Sequence, residues 1–229
     1  MIPTNGAGYN FTIDWGDGSA MENYSGTAPN PIHTYAAAGD HKVTIFGSFP
    51  RFVMSNNATY RNKLISVDQW GAIQRTSMDN AFQGCENLQI LATDTPNLSN
   101  VTSMVSMFYG ATNLTGNFSG WNTSNVTHMA QMFYGATNFN QPLNSWDVSK
   151  VTNMNYMFSN ATKFNQDLSN WNTSKVTSMY YTFYYANSFN GDISTWDTSK
   201  VTTMFGMFYG ASSFNGDLSN WDVGNVTDM

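Results

Sequence analysis

Apolar residues recur three positions apart along most of this chain. In Val126-x-x-Met129-x-x-Met132-Phe133-x-x-Ala136 the steps are 3, 3, 1 and 3. That spacing predicts one face of a short α-helix rather than a strand. Ser124 or Thr127 is placed to cap its start, and Gly135 to help end it. Further on, Leu143-x-x-Trp146-x-Val148 predicts a short buried strand. Both patterns return with a fixed period. Val101, Val126, Val151, Val176, Val201 and Val226 stand 25 residues apart. Trp121, Trp146, Trp171, Trp196 and Trp221 keep the same interval, and so do Phe108, Phe133, Phe158, Phe183 and Phe208. Self-similarity at such a period marks stacked repeats, each too small to bury its apolar face alone.

The repeats begin in degenerate form at "NKLISVDQWG". Met78, Phe82 and Leu88 precede Met104, Phe108 and Leu114 by 26 residues, so the first coil is one residue longer than the rest. Cys85 stands where later coils have Ala111, Ala136, Ala161, Ala186 and Ala211. A small buried residue is expected there, and an inert thiol. Residues 9–47 follow a different rhythm. Phe11, Ile13 and Trp15 alternate on one strand face before the turn Gly16-Asp17-Gly18, and Lys42–Phe46 offers a second strand, which together predict a small β-sandwich.

The expected fold is an α/β solenoid of leucine-rich-repeat type, with one short strand and one short helix per 25-residue coil. A β-sandwich-like cap is expected over 1–58, and six to seven coils over 59–229. A parallel β-helix is the alternative. The last coil, ending "WDVGNVTDM", is expected to be incomplete. Its open apolar end is expected to be covered by the rest of a longer exported protein or to mediate self-association.

Charge narrows the partners. Charged residues make up 10% of the chain and the net charge is −6; the isoelectric point is near 4.7. Nucleic acid and anionic membranes are poor partners for such a surface. No run approaches the ~20 apolar residues of a membrane-spanning helix, and Met1–Gly6 has neither the basic start nor the apolar run of a secretory signal. His33, His41 and His128 share no repeat position and no catalytic or metal spacing, so neither an enzyme nor a cofactor is expected.

Two columns are candidate binding positions. Asn122, Asp147, Asn172, Asp197 and Asp222 fall in one line beside the expected strand, with Ser124, Ser149, Ser174 and Ser199 next to them. Carboxylates, amides and hydroxyls in a strip suit hydrogen-bonded recognition of a peptide or glycan, and such oxygens are of the kind Ca²⁺ takes. The same Asx-x-Ser pairs are also ordinary turn chemistry. Tyr109, Tyr134, Tyr184 and Tyr209 form the second column, interrupted by Ser159, and suit a sugar or a protein partner. Asn140, Asn165, Asn190 and Asn215 are expected to bond backbone along the stack.

The repeat "W-[DN]-x-S-x-V-T-x-M-x-x-M-F-x-x-A-x-x-F-N" resembles the short-period leucine-rich repeats of bacterial surface proteins, the BspA-like family and its mycoplasma lipoprotein relatives. "AFQGCENL" is similar to the "A-F-x-x-C-x-x-L" form of that family, and the resemblance covers residues 60–229. "DWGDG", "HTY" and "G-x-x-x-V-T-I" resemble PKD-type modules, found mostly outside cells. Together these resemblances imply an extracellular or cell-surface recognition module of adhesin type. Its implied partner is a host or neighbouring-cell surface protein or glycan. A spacer or fibre segment without a specific ligand is the alternative.

Overall fold

The computed structural model describes residues 1–54 and 58–229. The last part of the expected cap, residues 55–57, lies outside the described residues. Three strands form one antiparallel sheet in the order β2-β1-β3: β1 Tyr9–Asp14, β2 Glu22–Gly26 and β3 Thr44–Ser48. The predicted alternation holds on β1, where Phe11 and Ile13 are buried, and it continues to the buried Trp15. The sandwich does not form. One face of a single sheet closes over Ile2, Tyr9, Phe11, Ile13, Trp15 and Phe49, and the chain after it supplies the cover that a second sheet would give. Phe52 touches both this cluster and the core of the repeats, and its ring lies 5.5 Å from that of Phe82. Met54 N–H donates to Asn80 O at 3.2 Å, and the Met54 side chain is buried in the repeat core.

The repeats are not the expected strand-and-helix coils. Among the described residues the only helix is α1, Ala58–Arg61, and the strands beyond it are the two-residue β4 Ser66–Val67, β5 Gln89–Ile90 and β6 Thr115–Gly116. The Met and Phe segment is a chain of turns instead. Met107 N–H donates to Met104 O (3.2 Å), Tyr109 to Ser106 (3.2 Å) and Ala111 to Phe108 (3.0 Å), each three residues back. The N–H groups between them leave the coil. Ser106 donates to Ala130 O (3.0 Å), Phe108 to Met132 O (2.9 Å) and Gly110 to Tyr134 O (2.7 Å), all in the next repeat.

Backbone dihedrals explain why a helix cannot form. Ser106, Gln131, Tyr156 and Tyr181 have φ between 54° and 59°, and four residues on Gly110, Gly135, Asn160 and Tyr185 have φ between 51° and 68°. Two left-handed residues per coil rotate every second N–H out of the turn, where an α-helix would keep it. Residues three apart still point inward, because they are the first and last positions of successive turns.

The expected strand around Trp146 is also a turn pair. Trp146 N–H donates to Leu143 O at 3.0 Å and Val151 N–H to Val148 O at 2.8 Å. Parallel pairing between coils shrinks to single bridges along Ser103, His128, Asn153, Ser178, Thr203 and Asp228. That is too little strand for a leucine-rich-repeat sheet, and too little for the alternative parallel β-helix. Solenoids of either type are thereby overturned. What the period produces is a register of hydrogen-bonded turns. The Asn column extends it as expected: Asn165, Asn190 and Asn215 N–H groups donate to the side-chain oxygens of Asn140, Asn165 and Asn190 at 2.8–2.9 Å.

Inside, each repeat position becomes a stack of like side chains. Phe108, Phe133, Phe158 and Phe183 follow one another at 5.5–5.7 Å with rings within 14° of parallel. Trp171 and Trp196 stack at 6.0 Å and 2°. From Trp146 onward the indole N–H reaches a carbonyl of the preceding coil: Trp146 to Phe118 O (2.8 Å), Trp171 to Leu143 O (2.9 Å), Trp196 to Leu168 O (3.0 Å) and Trp221 to Ile193 O (3.1 Å).

Two outcomes follow from this backbone. A Cβ on Gly135 would have room, its nearest neighbour being Gly110 Cα at 3.8 Å, so Gly135→Ala isolates the dihedral cost. Urea unfolding is expected to show a loss of about 1–2 kcal/mol, whereas in a helix the same change would stabilise by about 1 kcal/mol. Trp171→Ala removes a buried ring and one of the two hydrogen bonds that Leu143 O accepts. It is expected to cost about 3–5 kcal/mol, and a melting temperature within a degree of wild type would refute this packing.

Candidate functional site

The Asn/Asp column is exposed and in line, as its period requires, but the Oδ1 atom of each member is engaged within its own coil. Asn122 Oδ1 accepts from Ser124 N (3.2 Å) and Oγ (2.7 Å), Asp147 Oδ1 from Ser149 N (2.9 Å), and Asn172 Oδ1 from Ser174 N (3.1 Å). Asp197 Oδ1 accepts from Ser199 N (3.0 Å) and Oγ (2.6 Å), and Asp222 Oδ1 from Gly224 N (2.9 Å). Each is a local Asx turn that shapes its own coil. Lys150, Lys175 and Lys200 stand three residues on from Asp147, Asn172 and Asp197. Among the described residues no group of three or more His, Cys, Asp or Glu side chains is placed to hold a metal ion.

The tyrosine column is wider than its period suggests. Tyr109 and Tyr134 stack at 4.5 Å and 6°, and Tyr184 and Tyr209 at 5.4 Å and 17°. Ser159 breaks the column, but Tyr156 spans the gap, 6.2 Å from Tyr134 and 5.3 Å from Tyr181. Tyr181 in turn meets Tyr184 at 4.6 Å. Tyr180 stacks on Phe205 at 5.6 Å, and Tyr185 lies 5.5 Å from Tyr209. Five aromatic residues outside the predicted column therefore join it in one surface: Tyr156, Tyr180, Tyr181, Tyr185 and Phe205. Tyr156 and Tyr181 stand one period apart, as do Tyr180 and Phe205, but the same columns hold Ser106, Gln131 and Gly206, and Val105, Ala130 and Asn155, in the other coils. A second sequence signal is the density of Tyr in "MYYTFYYA".

Glycines in the next coil make the seats for two of these rings. A Cβ on Gly206 would lie 2.3 Å from the Tyr181 ring, and one on Gly210 would lie 2.6 Å from Tyr185. The rings rest on bare backbone and on one another. Tyr185, Phe205 and Tyr209 are the most exposed, at 39%, 37% and 61%. The segments that carry the surface, 104–111, 129–136, 154–161, 179–186 and 204–211, contain no Lys, Arg, His, Asp or Glu.

Other candidates are structural. Burial pushes the Cys85 thiol up to about 12, beyond ordinary reactivity. In the cap, "DWGDG" and "HTY" meet: His33 Nε2 lies 2.8 Å from Asp17 Oδ2, its ring stacks on Trp15 at 4.9 Å, and Tyr35 donates to Trp15 O at 3.1 Å. Tyr35 also stacks on His41 at 3.9 Å. His128 is remote from that group, hydrogen-bonded to Thr127. The last coil carries an apolar groove of about 450 Å³ lined by Met204, Met207, Phe208, Leu218, Trp221 and Met229. Among the described residues no helix is long and apolar enough to cross a membrane.

The Asx turns carry a pH signature. Hydrogen bonds from Ser149 and Ser199 hold the Asp147 and Asp197 carboxyls below the ordinary value of 3.8. A folded-state pKa below the unfolded one gives stability that is complete above the unfolded value and drains away as the pH falls from there through the folded one. Asp147→Asn with Asp197→Asn keeps the turn, since Asn122 and Asn172 stand in the same column. The variant is expected to lose less melting temperature than wild type between pH 5 and pH 3, roughly the range in which carboxyls titrate. Parallel curves would show the carboxylates to be uncoupled from folding.

Comparison with curated proteins gives no match, and comparison with solved structures gives none. Residues 76–187 and 166–229 match the family described as "Mycoplasma protein of unknown function, DUF285". The two spans together run from the first full turn segment to Met229, well over half of the chain, and on that match the chain belongs to this family.

Proposed function

We propose that the chain is a recognition module of adhesin type, acting outside the cell or at its surface and without enzymatic activity. The observation that carries this is the uncharged, tyrosine-rich face built from five successive coils. Exposed aromatic residues with charge excluded from their midst are the composition of a contact surface. Membership of the family supports a surface location. So does the cap, where the meeting of "DWGDG" with "HTY" around Trp15 favours a PKD-like reading of residues 9–47. The tyrosines take precedence over the Asn/Asp column, of which one oxygen per residue is engaged in its own turn.

Presentation of the rings favours a protein over a glycan. A sugar packs its C–H face on an open aromatic face, and here the ring faces lie largely against one another. The exposed parts of Tyr185, Phe205 and Tyr209 offer electropositive ring edges, which suit carbonyl groups and the aromatic faces of another protein. A spacer function is the second reading, favoured by the many side chains that serve only coil-to-coil bonding, such as Asn140, Asn165 and Asn190.

Arrays of matrix proteins and of glycans, probed with wild type and with Tyr184→Ser/Tyr209→Ser, test the proposal. Protein spots that lose about tenfold or more in affinity with the variant are the expected result. Binding that survives the variant but is lost in Asp147→Ala/Asn172→Ala/Asp197→Ala would move the site to the Asx column. No specific spot on either array would favour the spacer.

A further inference from the structure

We infer that one partner of the tyrosine face is a second copy of the same chain, the two faces meeting across a twofold axis. This rests on the recognition reading above and names an occupant for that surface. Electrostatics selects the face through which two copies can meet. Each copy carries a net charge of −6, so two copies repel at most orientations. The carboxylates of the regular repeats stand in other columns: Asp147, Asp197 and Asp222 in one, Asp167, Asp192 and Asp217 in another, and Asp228 near Tyr181 at the edge of the tyrosine face. Contact through the column of Asp167, Asp192 and Asp217 would set like charges opposite one another, and that of Asp147, Asp197 and Asp222 mixes carboxylates with Lys150, Lys175 and Lys200. Contact through the five uncharged segments places none at its centre.

The chemistry of the face is also self-complementary. A phenol hydroxyl both donates and accepts, so tyrosine can pair with tyrosine where an all-donor or all-acceptor surface could not pair with itself. Ring edges are electropositive and ring faces electronegative, and a face that mixes near-parallel pairs with crossed ones offers both. Tyr109 and Tyr134 lie at 6°, whereas Tyr180 and Tyr181 lie at 84° and Tyr184 and Tyr185 at 88°. A twofold axis near Tyr156 sets the Tyr109 end of one copy against the Tyr209 end of the other, the isologous arrangement of most dimers.

The repeat itself supplies variants that keep the fold. Ser159 occupies the column of Tyr184 and Tyr209, and Gly110, Gly135 and Gly210 occupy that of Tyr185, where φ is +51°. Tyr184→Ser/Tyr185→Gly/Tyr209→Ser is therefore expected to fold, which thermal melting verifies. Sedimentation equilibrium of the purified chain, from about 5 µM to about 500 µM, spans the range of weak and moderate self-association. Wild type is expected to dimerise and the triple variant to do so at least about tenfold more weakly. Raising salt from about 0.02 M to about 0.5 M is expected to tighten the wild-type dimer, because it screens repulsion and removes no attraction. A wild-type monomer at the highest concentration overturns the inference, and so does a dimer weakened by salt. An equally strong dimer in the variant also overturns it and moves the contact elsewhere, the apolar groove of the last coil included. A monomer that still shows tyrosine-dependent binding on the protein array would leave the recognition reading standing and reject only the self-partner.

Discussion

The division of backbone N–H groups between the turn and the neighbouring coil governs this molecule. Within each Met and Phe segment, alternate amides bond three residues back, and those between them cross to the next repeat. Both sets are needed. The internal bonds hold each coil to a small radius that a few core side chains can fill, and the crossing bonds fix the register from coil to coil. Left-handed residues at two positions per coil make the alternation possible, and their strain is offset only while the neighbouring coil is present. Stability is thus cooperative between neighbours, as in other repeat arrays.

Register turns one residue's packing into a column. Phe and Trp rings lie nearly parallel to their counterparts one coil away, so each buried aromatic is shared by two repeats. The indole N–H groups tie the coils together inside the core, where an unpaired donor would be costly. The first coil departs from this. Trp70 Nε1 is buried without a partner, whereas its successors at Trp146, Trp171 and Trp196 reach a carbonyl 28 residues earlier. Here the cap adjoins the stack through Phe52 and Met54 rather than through a preceding repeat.

The same register sorts the surface. Polar columns that look available in the sequence are absorbed into the architecture: Asn140 and its equivalents bond the next backbone, and Asp147 and its equivalents close their own turns. What remains for an outside partner is the column set whose side chains meet mainly one another. Aromatic residues concentrate there, where Gly206 and Gly210 give the rings of Tyr181 and Tyr185 a place to lie. Separation of this uncharged face from the acidic columns follows from position within the repeat, because each column keeps its direction through every coil.

The 25-residue period, the identity of the buried columns and the inert Cys85 were legible in the sequence, since burial depends on side-chain type repeated at fixed intervals. The strand face of Phe11, Ile13 and Trp15 was legible for the same reason, while the single sheet that carries it was not. Tertiary structure alone decided the path of the coil. Apolar residues three apart suit one face of a helix and equally the ends of successive turns, and the choice lies in where the amides bond. For Ser106, Phe108 and Gly110 the acceptors are Ala130, Met132 and Tyr134, some 24 residues away, and no local pattern reports a bond of that range. The wider tyrosine surface was hidden for the same reason. Tyr156 meets Tyr134 and Tyr181, Tyr180 meets Phe205 and Tyr185 meets Tyr209 only when separate coils lie against one another, and that juxtaposition belongs to the fold.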